Sequence, residues 1–126
     1  MVLQVDYESL RAEYQKHGLG FPDDSGYDLL APETINSKPG DGFKVDHGVK
    51  AMMLDPSGRE LGFQLMARSS IHGSPHRMCP CPGVIDAGCS GNLISKWDHL
   101  ANTGPSSMAK GTRPCQIVAH NGLNFD

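Results

Sequence analysis

Apolar and polar residues alternate in short runs along most of the chain, and most runs end at a cluster of glycine, proline, serine or aspartate. Runs of this kind are typical of β-strands joined by turns. The pattern predicts strands at residues 26–31, 43–54, 61–67, 84–85, 93–97 and 116–119. It predicts turns at residues 39–42, 56–58, 73–75 and 103–105.

One stretch near the N-terminus has a helical pattern instead. Over residues 6–17, Leu10 and Tyr14 fall on one face of a helix, and Asp6 or Ser9 can cap its first turn. One short helix among many strands predicts an all-β domain built as a compact sandwich or barrel.

The composition agrees with an all-β domain. The 15 glycines and 9 prolines, with 38% hydrophobic and 6% aromatic residues, are typical of many short elements joined by turns. A chain of 126 residues can bury one core, and no internal repeat or linker divides it, so residues 1–126 are predicted to form a single domain. The net charge of −3 gives no basic field, which argues against binding to a DNA or RNA polymer.

The sequence contains no apolar run of about 18 residues and no signal-type N-terminus, so we expect no membrane span and no secretion. We expect an intracellular protein of the cytoplasm or nucleus. The four cysteines are too few and too clustered for a disulfide scaffold, and we expect them to be reduced.

A cluster of nitrogen and sulfur side chains, His72, His76, Cys79 and Cys81, lies within ten residues and could ligate zinc. Nearby prolines and the single residue between the cysteines make tetrahedral ligation awkward. We therefore favour surface histidines on a loop over a metal site.

Four short polar segments interrupt the β pattern. The first, residues 25–29, places Asp28 inside a strand, where a carboxylate is disfavoured unless it meets a partner or a cation. The second, residues 67–70, puts the Arg68 guanidinium beside two hydroxyls, a composition that suits phosphate oxygens.

The third segment, residues 83–91, is an apolar strand that ends at Asp86 in a glycine-rich turn. A carboxylate held there can orient a water molecule, or it can simply satisfy the amides of the turn. The fourth segment, residues 110–118, brings Arg113 and Gln116 to the start of a strand.

Together, in this order and at this spacing, the four segments resemble the motifs of the trimeric dUTPases. Those motifs are Ala-Gly-Tyr-Asp-Leu, Pro-Arg-Ser-Ser, Gly-Val-Ile-Asp followed by Tyr-Arg-Gly, and Gly-Asp-Arg-Ile-Ala-Gln. Their counterparts here are residues 25–29, 67–70, 83–91 and 111–116. The resemblance extends over about residues 21–119, and the combination is far more specific than any one motif.

The resemblance implies a β-clip, or distorted jelly-roll, subunit with one short helix, and a homotrimer with shared active sites. It implies hydrolysis of dUTP to dUMP and pyrophosphate, with Mg²⁺ on the triphosphate. Asp86 would orient the attacking water, Asp28 would support the hydrated metal ion and Asp86, and Arg113 would be largely architectural. The residues implied to bind the substrate are Arg68, Ser69, Ser70, Val84, Ile85, Cys89 and Gln116.

Three departures from the family pattern indicate a divergent member. Cys89 stands where the family has a tyrosine that stacks on deoxyribose, so we expect weak discrimination against ribose. Pro80 stands where many members present an asparagine to uracil, which leaves base recognition to the hairpin backbone near Val84 and Ile85. Residues 121–126 do not match the family's glycine-rich C-terminal arm, which contains Gly-Phe-Gly-Ser.

Two alternatives stay open. Residues 85–91 are similar to the turn Ile-Asp-Pro-Gly-Trp-Ser-Gly of the related dCTP deaminases, although residues 95–97 lack the glutamate that those enzymes use. The other alternative is a dUTPase-fold protein with weak or no turnover that acts in nucleotide sensing or partner binding. The complete set of motif residues favours the enzyme, because a protein without catalysis has no physical need for all of them.

Overall fold

The structure, a computed structural model, describes residues 2–5, Arg11, Tyr14 and residues 26–119. These ranges contain twelve β-strands and a short 3₁₀-helix, Ser69–Gly73. The strands are β1 (Val2–Val5), β2 (Gly26–Leu29), β3 (Ile35–Ser37), β4 (Gly42–Asp46), β5 (Val49–Leu54), β6 (Glu60–Leu61), β7 (Phe63–Ala67), β8 (His76–Met78), β9 (Gly83–Ile85), β10 (Ile94–His99), β11 (Ser106–Met108) and β12 (Cys115–Ala119). The predicted all-β class is confirmed.

The strands pair antiparallel in four small sheets. Their orders are β1-β5-β6, β4-β10-β8, β11-β3 and β2-β12-β7-β9. The four-stranded sheet carries all four polar segments, since β2 and β12 contain the first and fourth while β7 and β9 lead into the second and third.

Along the strands of this sheet, buried core side chains alternate with the candidate site residues. In β12, Cys115, Ile117 and Ala119 are buried, whereas Gln116 between them is only partly buried. Tyr27 and Leu29 of β2 are buried, and Asp28 is partly exposed. Successive side chains of a strand point to opposite faces, so Asp28 and Gln116 lie on the face away from the core. Trp97 is in the core, almost fully buried.

Several strand boundaries differ from the predicted ones. The predicted strand over residues 43–54 is two strands, β4 and β5, because the chain turns at Gly48 with a φ of 68°. Residues 61–67 are likewise divided between β6 and β7. Three of the strands that the pattern missed, β3, β8 and β11, have 3 residues each, too few for an alternation to be visible.

The predicted helix over residues 6–17 lies mostly outside the described residues. Arg11 and Tyr14, the two members of that stretch that are described, are helical. No helix among the described residues is both long and apolar enough to cross a membrane.

The prediction of surface histidines is wrong for His76, which is buried in β8 as part of a hydrogen-bond chain. His99 Nε2 donates to the Gly104 carbonyl at 2.9 Å, so its Nδ1 accepts from the Ser37 hydroxyl at 2.7 Å. Ser37 Oγ in turn accepts from His76 Nε2 at 3.2 Å. Burial, with nearby His99 and Arg77, lowers the pKa of His76.

The cysteines near His76 remain free thiols. Cys79 and Cys81 are exposed, and Cys89 and Cys115 are also unpaired. Across residues 26–119 and the few described residues before them, no three His, Cys, Asp or Glu side chains are arranged to hold a metal ion. His76 faces the core because the Ser37 hydroxyl satisfies its ring nitrogen there.

Candidate functional site

The first group of predicted site residues lies at one end of the four-stranded sheet. Asp28 on β2 stands opposite Gln116 on β12, and Gln116 stands opposite Met66 on β7. Arg68 directly follows β7, and one residue, Pro114, separates Arg113 from β12. We call Asp28, Arg68, Arg113 and Gln116 the Asp28 end of the sheet.

Two arginines contact the carboxylate at this end. Arg68 Nε lies 3.1 Å from Asp28 Oδ1, and Arg113 Nη1 lies 3.6 Å from Asp28 Oδ2. Arg68 Nη1 also donates to the Arg113 carbonyl at 3.2 Å. The strand-interior carboxylate therefore has the cationic partners that its position required. Two guanidinium groups against one carboxylate leave an excess positive charge, which favours an anionic ligand.

Gln116 and Gly26 fit closely together at the Asp28 end. A Cβ atom built on Gly26 would collide with Gln116 Oε1 and would lie 2.6 Å from its Cδ. The Gln116 side chain therefore occupies the space that any larger residue at position 26 would need. This close approach to a flexible side chain, rather than a positive φ, is what favours glycine here.

Two hydroxyls follow Arg68. Ser69 and Ser70 begin the 3₁₀-helix and are exposed. The Arg68 amide donates to the Pro114 carbonyl at 3.1 Å, which fixes the end of β7 against the segment before β12. Ser69 and Ser70 therefore follow a residue whose backbone is fixed, and their binding role stays a prediction.

The second group lies on β9 and the turn after it, and we call Val84, Ile85, Asp86 and Cys89 the Asp86 end. The Cys89 amide donates to the Asp86 carbonyl at 3.3 Å, and Gly88 has a φ of 86°. Asp86 and Cys89 are exposed, and Val84 is 62% exposed. β9 pairs only with β7 among the described strands, so its outer backbone edge is open.

The two groups are well separated within one chain. Ile85 pairs with Phe63 at the start of β7, whereas Arg68 follows the last residue of β7. Asp86 is therefore in register with Gly62, six residues from Arg68 along β7, a separation of roughly 20 Å at about 3.3 Å per residue. The structure brings Asp28 into contact with Arg68 and Arg113 and places Gln116 opposite Asp28. Ser69 and Ser70 follow Arg68 in the chain, and Asp86 lies apart from this group.

Behind the Asp28 end lies a buried hydrogen-bond network that the sequence did not predict. His47 Nδ1 donates to the Leu30 carbonyl at 2.8 Å, so His47 Nε2 accepts from the Ser95 hydroxyl at 2.8 Å. Ser95 Oγ accepts from Trp97 Nε1 at 2.7 Å. Burial lowers the pKa of His47. A histidine beside Gly48 in a turn gives no sequence signal of burial, which is why this residue was missed.

Two further buried groups support the strands of the Asp28 end. Tyr14 accepts a hydrogen bond from the Leu30 amide at 2.8 Å, and burial raises its pKa to about 12. Cys115 Sγ lies 3.5 Å from His47 Nε2, and burial raises the pKa of this thiol to about 12. Both groups stay neutral at physiological pH, so the core behind Asp28 carries no charge from them.

No protein-family model matches the sequence, and no curated protein matches it. Solved structures do match. A point mutant of the dUTPase from phage phi11 of S. aureus matches 93% of this chain and 87% of its own, with a TM-score of 0.70 and 19% identity.

Two more solved structures are similar over most of their length. A point mutant of the Staphylococcus bacteriophage 80alpha dUTPase with dUpNHpp matches 93% of this chain and 86% of its own, with a TM-score of 0.71 and 19% identity. The native EIAV dUTPase matches 82% of this chain and 82% of its own, with a TM-score of 0.63 and 19% identity. These likenesses confirm the β-clip fold that the four segments predicted.

Proposed function

Because this chain has the β-clip fold of the dUTPases, we propose that it is a dUTP diphosphatase, which hydrolyses dUTP to dUMP and pyrophosphate with Mg²⁺. The observation that carries the proposal is the placement of all four polar segments on one sheet, with a cationic cluster at one end and an exposed carboxylate at the other. A binding fold alone does not need that arrangement.

We propose that the protein works as a homotrimer whose active sites lie between subunits. Asp86 stands roughly 20 Å from Arg68 in one chain, too far for both to contact one substrate. In the trimer, Asp86 of one subunit meets the Asp28 end of its neighbour.

In the proposed reaction, the Asp86 carboxylate accepts a hydrogen bond from a water molecule and takes up its proton as the water oxygen bonds to the α-phosphorus. The bond from that phosphorus to the bridging oxygen breaks, and pyrophosphate leaves. Arg68, Ser69, Ser70 and Gln116 donate hydrogen bonds to phosphate oxygens or to the water, and the excess positive charge of the Asp28 end offsets the developing negative charge. Asp86 is exposed, so its carboxylate is accessible to water.

Mg²⁺ fits this site as an ion carried by the substrate. Magnesium in nucleotide sites usually keeps several waters and binds substrate phosphates with one or two carboxylates. Asp28 is the carboxylate at this end, but both of its oxygens already contact arginines. Support of the ion through a bound water preserves those ion pairs. A related structure, that of the phage phi11 enzyme, is described with a structural Mg(II) ion.

The nucleoside is proposed to contact the Asp86 end. The backbone of Val84 and Ile85 would recognise the base, since this part of β9 offers an open edge. Cys89, exposed in the turn, would lie beside the sugar. A thiol gives less contact than an aromatic ring, and stacking on a ring contributes about 1 to 3 kcal/mol. UTP is therefore expected to compete with dUTP within roughly tenfold, which corresponds to about 1.4 kcal/mol.

The test is pyrophosphate release from a panel of dNTPs and NTPs, with Mg²⁺ and with EDTA. We expect release from dUTP, loss of release with EDTA, and a loss of about a hundredfold or more in the Asp86→Asn variant. Asp98→Asn is the matched control, because Asp98 is equally exposed but lies on β10 in a different sheet. Full activity of Asp86→Asn would contradict the proposal.

A second candidate function is nucleotide-dependent partner binding. Phage dUTPases with this fold are described as controlling the transfer of virulence genes by a G protein-like mechanism. If this function applies here, dUTP binds without measurable pyrophosphate release and changes affinity for a protein partner. Equilibrium binding of dUpNHpp, compared with turnover in the same preparation, separates the two candidates.

A further inference from the structure

The turn that carries Asp86 is hydrogen-bonded to one side chain from a different sheet. Glu60 Oε1 accepts a hydrogen bond from the Gly88 amide at 2.8 Å. Glu60 lies on β6, where it pairs with Leu54 of β5, so this contact joins the β1-β5-β6 sheet to the turn after β9. The two residues are 28 positions apart in the chain, so no local rule of turn formation creates the contact.

The geometry of the turn explains why this hydrogen bond matters. The Cys89 amide donates to the Asp86 carbonyl, which makes residues 86–89 a β-turn with Gly88 in third position. The φ of 86° at Gly88 is characteristic of a type II turn. The hydrogen bond within the turn does not use the Gly88 amide. The Glu60 carboxylate gives this amide an acceptor and thereby fixes the orientation of the peptide between Ala87 and Gly88.

The two halves of the Asp86 end are therefore held by different contacts. Val84 and Ile85 are fixed by backbone pairing with Gln64 and Phe63 of β7. The chain after Ile85 leaves that pairing, and Glu60 is the side chain that holds it from outside the turn in the part of the chain described here.

From these contacts we infer that Glu60 is a positioning residue for Asp86. The inference rests on the proposed function. Glu60 sets the direction of the carboxylate that orients water, while recognition of the base by β9 is independent of it. Loss of Glu60 should therefore lower kcat for dUTP and change KM little.

The experiment compares Glu60→Ala, which removes the acceptor, with Glu60→Gln, which keeps an oxygen acceptor. For Glu60→Ala we expect kcat lower by about 10- to 100-fold, because a displacement of about 1 Å in a catalytic group has an effect of this size. KM should stay within about threefold, and Glu60→Gln should recover most of kcat. Glu33→Ala is the matched control, since Glu33 is exposed and makes no hydrogen bond within the described ranges.

Two further measurements distinguish positioning from general destabilisation. If Glu60 acts through Asp86, the double variant Glu60→Ala with Asp86→Asn should be no slower than Asp86→Asn alone. In the single variant, hydrogen exchange should be faster at the Gly88 amide but unchanged at the Gly58 amide, which donates to Asp55 in a separate turn.

The outcomes separate the two hypotheses. Wild-type kcat in Glu60→Ala, while Asp86→Asn is inactive, overturns the positioning role and leaves the proposed function standing. Equal losses in Glu60→Ala and Glu60→Gln, with a lowered Tm in both, also overturn it. Full turnover in Asp86→Asn overturns the proposed function and the positioning role together.

Discussion

At the Asp28 end of the four-stranded sheet, the carboxylate contacts two guanidinium groups and is mostly shielded from water. At the Asp86 end, the carboxylate is exposed, and no side chain of the described residues pairs with it. The first end is organised before any ligand arrives, since its ion pairs and the buried network behind it fix the side chains. At the Asp86 end, contacts fix the backbone of β9 and of the turn, but none from the described part of the chain fixes the Asp86 carboxylate.

If the protein is the proposed trimer, this difference allows one sheet to contribute to two active sites. An ion-paired cluster with excess positive charge can bind a triphosphate and remain stable in the isolated chain. A water-orienting carboxylate must instead stay free of arginine partners, because such a partner would compete for its oxygens. In the proposed trimer, the arginines of the Asp28 end stay paired with Asp28, which leaves the oxygens of Asp86 free to contact water.

The largest expected effect comes from mixing two inactive variants. We expect Asp86→Asn and Arg68→Ala each to lose most dUTP turnover, because each removes one end of the site. After joint refolding in equal amounts, a site between random subunits receives both intact ends in about one case in four, so roughly a quarter of wild-type activity should return. The assay is pyrophosphate release before and after mixing.

The control for this experiment is each variant refolded alone. Thermal unfolding of Arg68→Ala establishes that it folds. If the mixture stays as inactive as its components, the two ends do not combine across subunits, which contradicts the proposed shared site.

A smaller effect is expected on stability, where loss of Asp28 should destabilise the fold and loss of Asp86 should not. Asp28→Ala leaves Arg68 and Arg113 without their shared carboxylate, and we expect the free energy of unfolding to fall by about 1 to 2 kcal/mol. Asp86→Ala removes an exposed group without described partners, so its effect should stay within about 0.5 kcal/mol. Urea unfolding of both variants measures the difference, and equal losses would show that Asp86 has a structural partner.

The smallest effect concerns pH and the core behind the Asp28 end. The pKa values of His47 and His76 both lie below the ordinary value of 6.5, chiefly through burial. The unfolded chain therefore takes up protons more readily than the folded chain, so their stabilisation is fully present above about pH 6.5 and is lost as the pH falls below it. Urea unfolding at pH 7.5 and pH 5 should show lower stability at pH 5.

His72→Gln is the matched control for the pH experiment, because His72 is exposed. This variant should keep the wild-type pH dependence. Stability that does not change between the two pH values would mean that the buried histidines do not favour the neutral form.

The fold class and the need of Asp28 for a partner could be predicted because their signals are local. Asp28 inside a strand implied a partner or a cation, and the arginines after β7 and before β12 supply it. The strands themselves showed alternation wherever they had about five residues, as in β12. The four motifs together predicted the β-clip fold, which periodicity alone did not.

Other features could not be predicted because they arise between distant segments. The contact between Glu60 and Gly88, and the burial of His47 and His76, depend on which sheet packs against which. Polar residues at such positions have the same sequence appearance as exposed ones, and only the tertiary structure decides their burial. The separation of Asp86 from Arg68 likewise follows from strand register, which short strands do not reveal.

The close fit of Gln116 over Gly26 has a consequence for sequence variation. Because a Cβ at position 26 would overlap the far end of the Gln116 side chain, that side chain would have to move to admit a larger residue there. A substitution of Gly26 would therefore alter the Asp28 end by displacing Gln116, although Gly26 has no side chain of its own.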